Sequence, residues 1–148
     1  MIGRDKARLK VAAASVARLR QRVKALLREK RGAGLAAAVK ALNPLLRGWT
    51  SYFRYAQVKD VWQELDGWIR RKPRGPLWRQ CKRTYARAKM LMKRGLKQER
   101  AWRSATNGRG AWWNARASHM KHAFPKAFFD HMGLVSLVDT YRRFQIQS

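Results

Sequence analysis

The chain has 148 residues, with 35 Lys and Arg against eight Asp and Glu, for a formal charge of +27. Its 46% hydrophobic content and seven Trp exclude wholesale disorder, and its one Cys excludes a disulfide framework or a multi-cysteine zinc site. Cations in such excess repel one another, so a polyanion, with nucleic acid the simplest, is the expected partner rather than a small acidic substrate.

The first predicted element is a long helix. Leu9, Ala12, Val16, Leu19, Val23 and Leu26 step by three and four residues, one apolar stripe that ends near Arg31-Gly32-Ala33-Gly34. A short helix is expected over Leu35 to Leu42. Asn43-Pro44 reads as an N-cap followed by Pro at the first helical position. The next helix carries Leu45, Leu46, Trp49, Tyr52, Phe53 and Ala56. Another carries Val61, Trp62, Leu65, Trp68 and Ile69 and closes on Arg70-Arg71-Lys72, cations suited to a helix C-terminus.

Lys72-Pro73-Arg74-Gly75-Pro76 is expected to stop that helix and to divide the chain into regions 1–74 and 75–148. These regions carry net charges of +14 and +13, so neither is a neutral domain with a basic tail. Beyond the break, Leu77, Trp78, Cys81, Tyr85, Ala88, Leu91 and Met92 predict a fifth helix. Its other face holds Arg79, Lys82, Arg83, Arg87, Lys89 and Lys93, and Gly95 ends it. Thr106-Asn107-Gly108-Arg109-Gly110 is a second break. Pro125 opens a short helix through Phe129, Gly133 ends it, and Ser136 caps a last helix through Tyr141 and Phe144. No period-2 alternation is sustained. The expected fold class is mainly α, a helical bundle followed by a smaller helical or irregular C-terminal region.

Catalytic chemistry finds little support. Asp60, Glu64 and Asp66 are the one acidic cluster, and they read as a solvated face, with Asp66 placed to pair with Arg70. His119, His122, His131 and Cys81 lack tight metal-ligand spacing. No metal, cofactor or catalytic residue is therefore expected. No apolar run spans a membrane and no secretory signal is visible, so the expected compartment is the cytoplasm. Binding chemistry remains: Arg and Lys neutralise phosphates, and aromatics set among them stack unpaired bases. Trp112 and Trp113 are adjacent and cannot share one face, so at least one is a candidate base contact.

Leu42-Asn43-Pro44-Leu45-Leu46-Arg47-Gly48-Trp49-Thr50-Ser51-Tyr52-Phe53-Arg54 strongly resembles the hallmark of the group II intron maturase-specific domain, the X or thumb region of group II intron reverse transcriptases. Leu65-Asp66-Gly67-Trp68-Ile69-Arg70-Arg71-Lys72 is similar to the family's next block. Arg8 to Leu35 is similar to its lead-in helix. Gly110-Ala111-Trp112-Trp113, His119-Met120, Ala123-Phe124-Pro125, Phe129 and Gly133 to Leu137 resemble the C-terminal DNA-binding region of bacterial members.

The resemblance implies a thumb domain over 1–74 and a basic DNA-binding-like region over 75–148. It implies a protein that binds intron RNA and assists splicing and mobility. DNA and a separate polymerase half are further possible partners. The implied phosphate contacts are Arg47, Arg54, Arg70, Arg71 and Lys72, followed by Arg79, Lys82, Arg83 and Arg87. Trp49 and Tyr52 are expected to hold helices together, and Gly48 to let helices approach closely. Full relatives carry a polymerase domain with paired Asp, and many carry an endonuclease domain with Cys pairs. This sequence has no Asp-Asp and one Cys. It begins where the polymerase domain would end, so neither activity is implied. A truncated relic and a general basic DNA- or RNA-binding protein are the alternatives.

Overall fold

In a computed structural model of the chain, the structure describes residues 2–53 and 59–147, with side chains placed from 13 to 53 and from 59 to 146. The described residues form nine helices and no strand: α1 (Ile2–Glu29), α2 (Leu35–Tyr52), α3 (Lys59–Gln80), α4 (Thr84–Lys93), α5 (Gln98–Ala105), α6 (Ala111–Arg116), α7 (Ser118–Ala123), α8 (Lys126–His131) and α9 (Leu137–Gln147). The fold is mainly α, as the periodicity predicts. No helix among the described residues is long and apolar enough to cross a membrane.

The chain divides into two compact units. Unit 1 comprises 1–66 and 132–148, and unit 2 comprises 67–131. The division differs from the expected 1–74 and 75–148: it falls between 66 and 67, and residues 132–148 belong with the first unit. The predicted break at Pro73–Pro76 does not form, since both Pro lie inside α3. Each Pro removes one helical hydrogen bond at a cost of about 3 kcal/mol. Burial offsets that: Ile69, Pro73 and Trp78 are all buried on the same helix, and a fully buried large apolar side chain contributes about 2–3 kcal/mol.

In unit 1 the α1 stripe buries Leu19 and Val23, with Val16 and Leu26 half-buried. The side chains of Leu9 and Ala12, and residue Ala56, lie outside the described residues. Ala38, Val39, Leu42 and Leu46 are buried on α2, and Trp62 and Leu65 on α3. Residues 35 to 52 form one helix rather than two, with Pro44 inside it. Asn43 caps nothing there. Its side-chain amide instead donates to the Gly133 carbonyl at 2.8 Å and accepts from the Val135 N–H at 2.9 Å, tying the C-terminal segment to α2.

That segment is tied a second time. Asp66 is not on a solvated face; it is 2% exposed. Its carboxylate accepts the Leu137 N–H at 2.8 Å and the Ser136 hydroxyl at 3.2 Å, a negative charge on the positive end of α9. Ser136 caps α9 as predicted, its Oγ accepting the Asp139 N–H at 3.2 Å. Trp62, packed on Trp49, Tyr141 and Phe144, centres the unit.

In unit 2 the predicted fifth helix is broken. The chain leaves α3 after Gln80 and restarts as α4 at Thr84. Gly95 ends α4 at φ 104. The Gly95 N–H reaches the Met92 carbonyl and the Leu96 N–H reaches the Leu91 carbonyl, each at 3.0 Å, with Leu91 and Leu96 both buried. Helices α5 to α7, absent from the sequence reading, bury Ala101, Ala105, Ala115, Met120 and Ala123.

Candidate nucleic-acid interface

Unit 2 contains 18 basic and two acidic side chains, yet its cations have different fates. Arg74 is 5% exposed. Its Nε donates to the Phe124 carbonyl at 2.9 Å, and its guanidinium lies 5.6 Å from the Phe129 ring centroid. Burial, and secondarily the Arg70 charge, lower its pKa to about 10, so it stays protonated at neutral pH. Arg94 donates to the Ala123 carbonyl at 2.8 Å and lies over Phe128 and Phe124. Together they satisfy two carbonyls at the C-terminal end of α7 that the helix leaves open. Arg87 donates to the Cys81 carbonyl at 2.6 Å and lies 4.7 Å from the Trp78 ring centroid.

The remaining candidates sort by exposure. Arg79, Lys82 and Arg83 are exposed around the α3–α4 connection, and Arg47 is exposed on α2. They do not share one helical face with Arg87, because α4 begins after Arg83. Arg70, Arg71 and Lys72 are half-buried on α3. Arg54 lies outside the described residues.

The structure joins Arg71 and Lys72 to Trp112, 41 positions along the chain from Arg71. The Arg71 guanidinium sits 3.5 Å from the Trp112 ring centroid, and its Nη2 donates to the Trp112 carbonyl at 2.9 Å. The Lys72 ammonium is 4.8 Å from the same ring and 5.3 Å from Trp68. Burial, and secondarily the Arg116 charge, hold the Arg71 pKa below the usual arginine range. Arg116 was missed in the sequence, although it sits four residues after Trp112 on α6 and so on its face. Trp113 lies beside Arg109 instead, at 5.4 Å.

A buried amide–imidazole network supports this surface. Asn114, fully buried, donates to the Arg109 and Gly110 carbonyls at 3.0 and 2.9 Å. Its Oδ1 accepts from Asn107 and from His119 Nε2, both at 2.8 Å. Burial, and secondarily the Arg100 charge, lower the His119 pKa, which favours the neutral ring. His122 lies apart, 3.3 Å from Arg100. Among the described residues no three of His, Cys, Asp and Glu gather into a metal-holding group.

In unit 1 the hallmark residues outline a groove. Leu42 and Phe53 are buried, and Trp49 stacks on Phe53 at 4.9 Å. Tyr52 does not hold helices together; it is 79% exposed, with its edge against Phe53. Gly48 does not serve close packing either, since a Cβ there would meet nothing within 4 Å. Pro44, Gly48, Trp49 and Tyr52 instead line a groove of about 760 Å³ between α1 and α2, with Arg18 and Arg22 on the α1 side. The groove has an aromatic wall on α2 and, on α1, a wall that carries Arg18, Arg22 and Glu29. The sequence signal for it was the three- and four-residue spacing of Ser15, Arg18 and Arg22 beside the Leu19 stripe.

Residues 16–95 match the family model of the group II intron, maturase-specific domain. No curated protein matches the chain. The match runs from α1 through Gly95, contains every residue of the groove but Ser15 together with the Arg79–Arg83 cations, and covers more than half of the sequence. The matched model is of a maturase-specific domain and not of a catalytic polymerase domain. The chain belongs to the group II intron maturase-specific domain family.

Proposed function

We propose that this protein binds group II intron RNA and assists its splicing and mobility, without itself catalysing the chemistry. The observation that carries this reading is the exposure of Arg47, Arg79, Lys82 and Arg83 inside the residues matched to the maturase-specific family. Exposed guanidinium and ammonium groups neutralise phosphates and release counterions, giving affinity that falls with salt. Arg87, engaged by Trp78 and the Cys81 carbonyl, supports the surface from beneath. A protein that binds folded intron RNA better than its misfolded competitors shifts the RNA population toward the active fold, and the RNA then performs the reaction. Structured RNA presents shape, 2′-hydroxyls and unpaired bases, which suit a basic helical surface with open aromatics. The region after residue 95 is proposed to extend that surface, with target DNA a further ligand and a separate reverse-transcriptase half a further partner.

The test is a competition assay near physiological salt. A labelled group II intron RNA is bound and then challenged with an unrelated structured RNA of matched length. Preference for the intron RNA by about an order of magnitude or more, roughly 1.4 kcal/mol, is the expected result. Equal competition would reduce the protein to a general polycationic binder.

A further inference from the structure

Unit 2 cannot neutralise its own cations. Of its two carboxylates, Asp130 is occupied by Lys126 at 2.7 Å, which leaves Glu99 on α5. Cations nevertheless gather here: Arg71 and Lys72 from α3 lie at the Trp112 ring, and Arg116 follows Trp112 by four residues on α6. Such crowding favours an anionic ligand at that place.

The aromatic at the centre distinguishes this cluster from three of the unit's other arginine–ring pairs. Arg87 lies over Trp78, Arg94 over Phe124 and Arg74 over Phe129, and all three of these rings are buried. Those pairs are packing. Trp112 is 40% exposed while Arg71 already lies on it at stacking distance. The guanidinium is further held by its bond to the Trp112 carbonyl, so the ring is pre-oriented before any ligand arrives, which lowers the ordering cost of binding. A partly exposed indole beside a held guanidinium has the chemistry to stack a nucleobase and hold its adjoining phosphate. A base within a duplex has both faces covered by its neighbours, so the fitting ligand is an unpaired one.

We propose that Trp112, clamped by Arg71 and flanked by Lys72 and Arg116, is the stacking platform for one unpaired base of a single-stranded nucleic acid. The proposal rests on the nucleic-acid-binding reading above and adds to it a subsite that tells single strand from duplex. Trp113 is not part of that subsite; it lies beside Arg109 and His119.

The experiment measures binding of the full chain to three probes by fluorescence anisotropy: a short oligoadenylate RNA, an abasic ribose-phosphate chain of the same length, and a blunt-ended RNA duplex. The expected result is that Trp112→Ala weakens oligoadenylate binding by about tenfold, within the range for one stacked base, and leaves the abasic chain and the duplex unchanged. Trp112→Phe keeps most of the affinity. An oligodeoxyadenylate arm assigns the strand: preference for RNA, or equal binding of both, each agrees with the subsite and names its ligand. Equal loss on all three probes, or no loss on any, overturns the proposal while the general binding reading survives. Failure of the unaltered protein to bind any probe overturns both. Circular dichroism checks the variant fold. If Trp112→Ala loses helix, the comparison of oligoadenylate with the abasic chain on the unaltered protein decides, and equal affinity for the two overturns the proposal.

Discussion

In unit 1 the described arginines stand at the surface around a core of Leu, Val and Trp; in unit 2, Arg74 is itself buried among the rings. The side chains that anchor backbone groups across the fold differ too. Unit 1 uses Asn43 and Asp66, an amide and a carboxylate, to tie down the C-terminal segment. Unit 2 uses Arg74, Arg94 and Arg87 on the backbone carbonyls of Phe124, Ala123 and Cys81. The buried apolar positions on α4 to α7 of unit 2 are mostly Ala, so long guanidinium stems fill volume that Leu fills in unit 1. The difference teaches that a charge count is not a count of binding groups. The more basic unit spends part of its charge on its own fold.

The largest effect is expected where a cation is structural. Arg74→Ala removes a buried side chain and leaves the Phe124 carbonyl without its donor, at a cost of about 3 kcal/mol in urea unfolding. Arg79→Ala, on an exposed residue, is expected to stay within about 0.5 kcal/mol. Similar losses for the two variants would erase the distinction between them.

Asp66→Ala tests the counterpart in unit 1. Loss of the α9 cap and of a buried acceptor is expected to cost about 2 kcal/mol, read as a lower urea midpoint. Asp66→Asn keeps one acceptor and should fall between that variant and the unaltered protein. A harmless Asp66→Ala would mean that the C-terminal segment is not held there.

These anchors explain what the sequence could and could not reveal. The α1 and α2 stripes were legible because Leu and Val at helical spacing face one core. Asn43-Pro44 was misread because the same two residues make a good N-cap, and only the distant Gly133 and Val135 claim the amide. Pro73 and Pro76 were misread because local propensity favours a break, whereas burial of Ile69 and Trp78 decides. Helices α5 to α7 escaped because an Ala-rich core leaves little hydrophobic periodicity. The candidate site was half legible. Arg71, Lys72 and Trp112 were all named, but nothing in their spacing shows that they meet. Arg87 and Arg79 look alike in sequence, and only exposure separates them.

His119 supplies a pH test confined to unit 2. Its folded-state pKa is lowered, first by burial and then by Arg100. The unfolded chain therefore binds more protons below the ordinary histidine pKa of about 6.5. Stability should fall as pH drops from there toward the folded-state value, by at most about 1.4 kcal/mol per pH unit, and then level off. His119→Gln keeps a donor for Asn114 without the titration. Its Tm should fall less than that of the unaltered protein between neutral pH and pH about 5. Parallel curves would remove His119 from the acid response.

The smallest effect returns to the groove of unit 1. Gly48→Ala meets open space and is expected to stabilise α2 by up to about 1 kcal/mol, seen as a higher urea midpoint. Destabilisation would mean that the glycine packs closely after all.

The central claim is that Arg79, Lys82 and Arg83 of unit 2 grip nucleic acid while Arg74, Arg87 and Arg94 hold the fold. The salt dependence of RNA binding tests it most directly, comparing the unaltered protein with a variant in which Arg79, Lys82 and Arg83 are all changed to Ala. The account predicts an unchanged urea midpoint and a slope of log K against log salt that is shallower by about 2 to 3. An unchanged slope would contradict it.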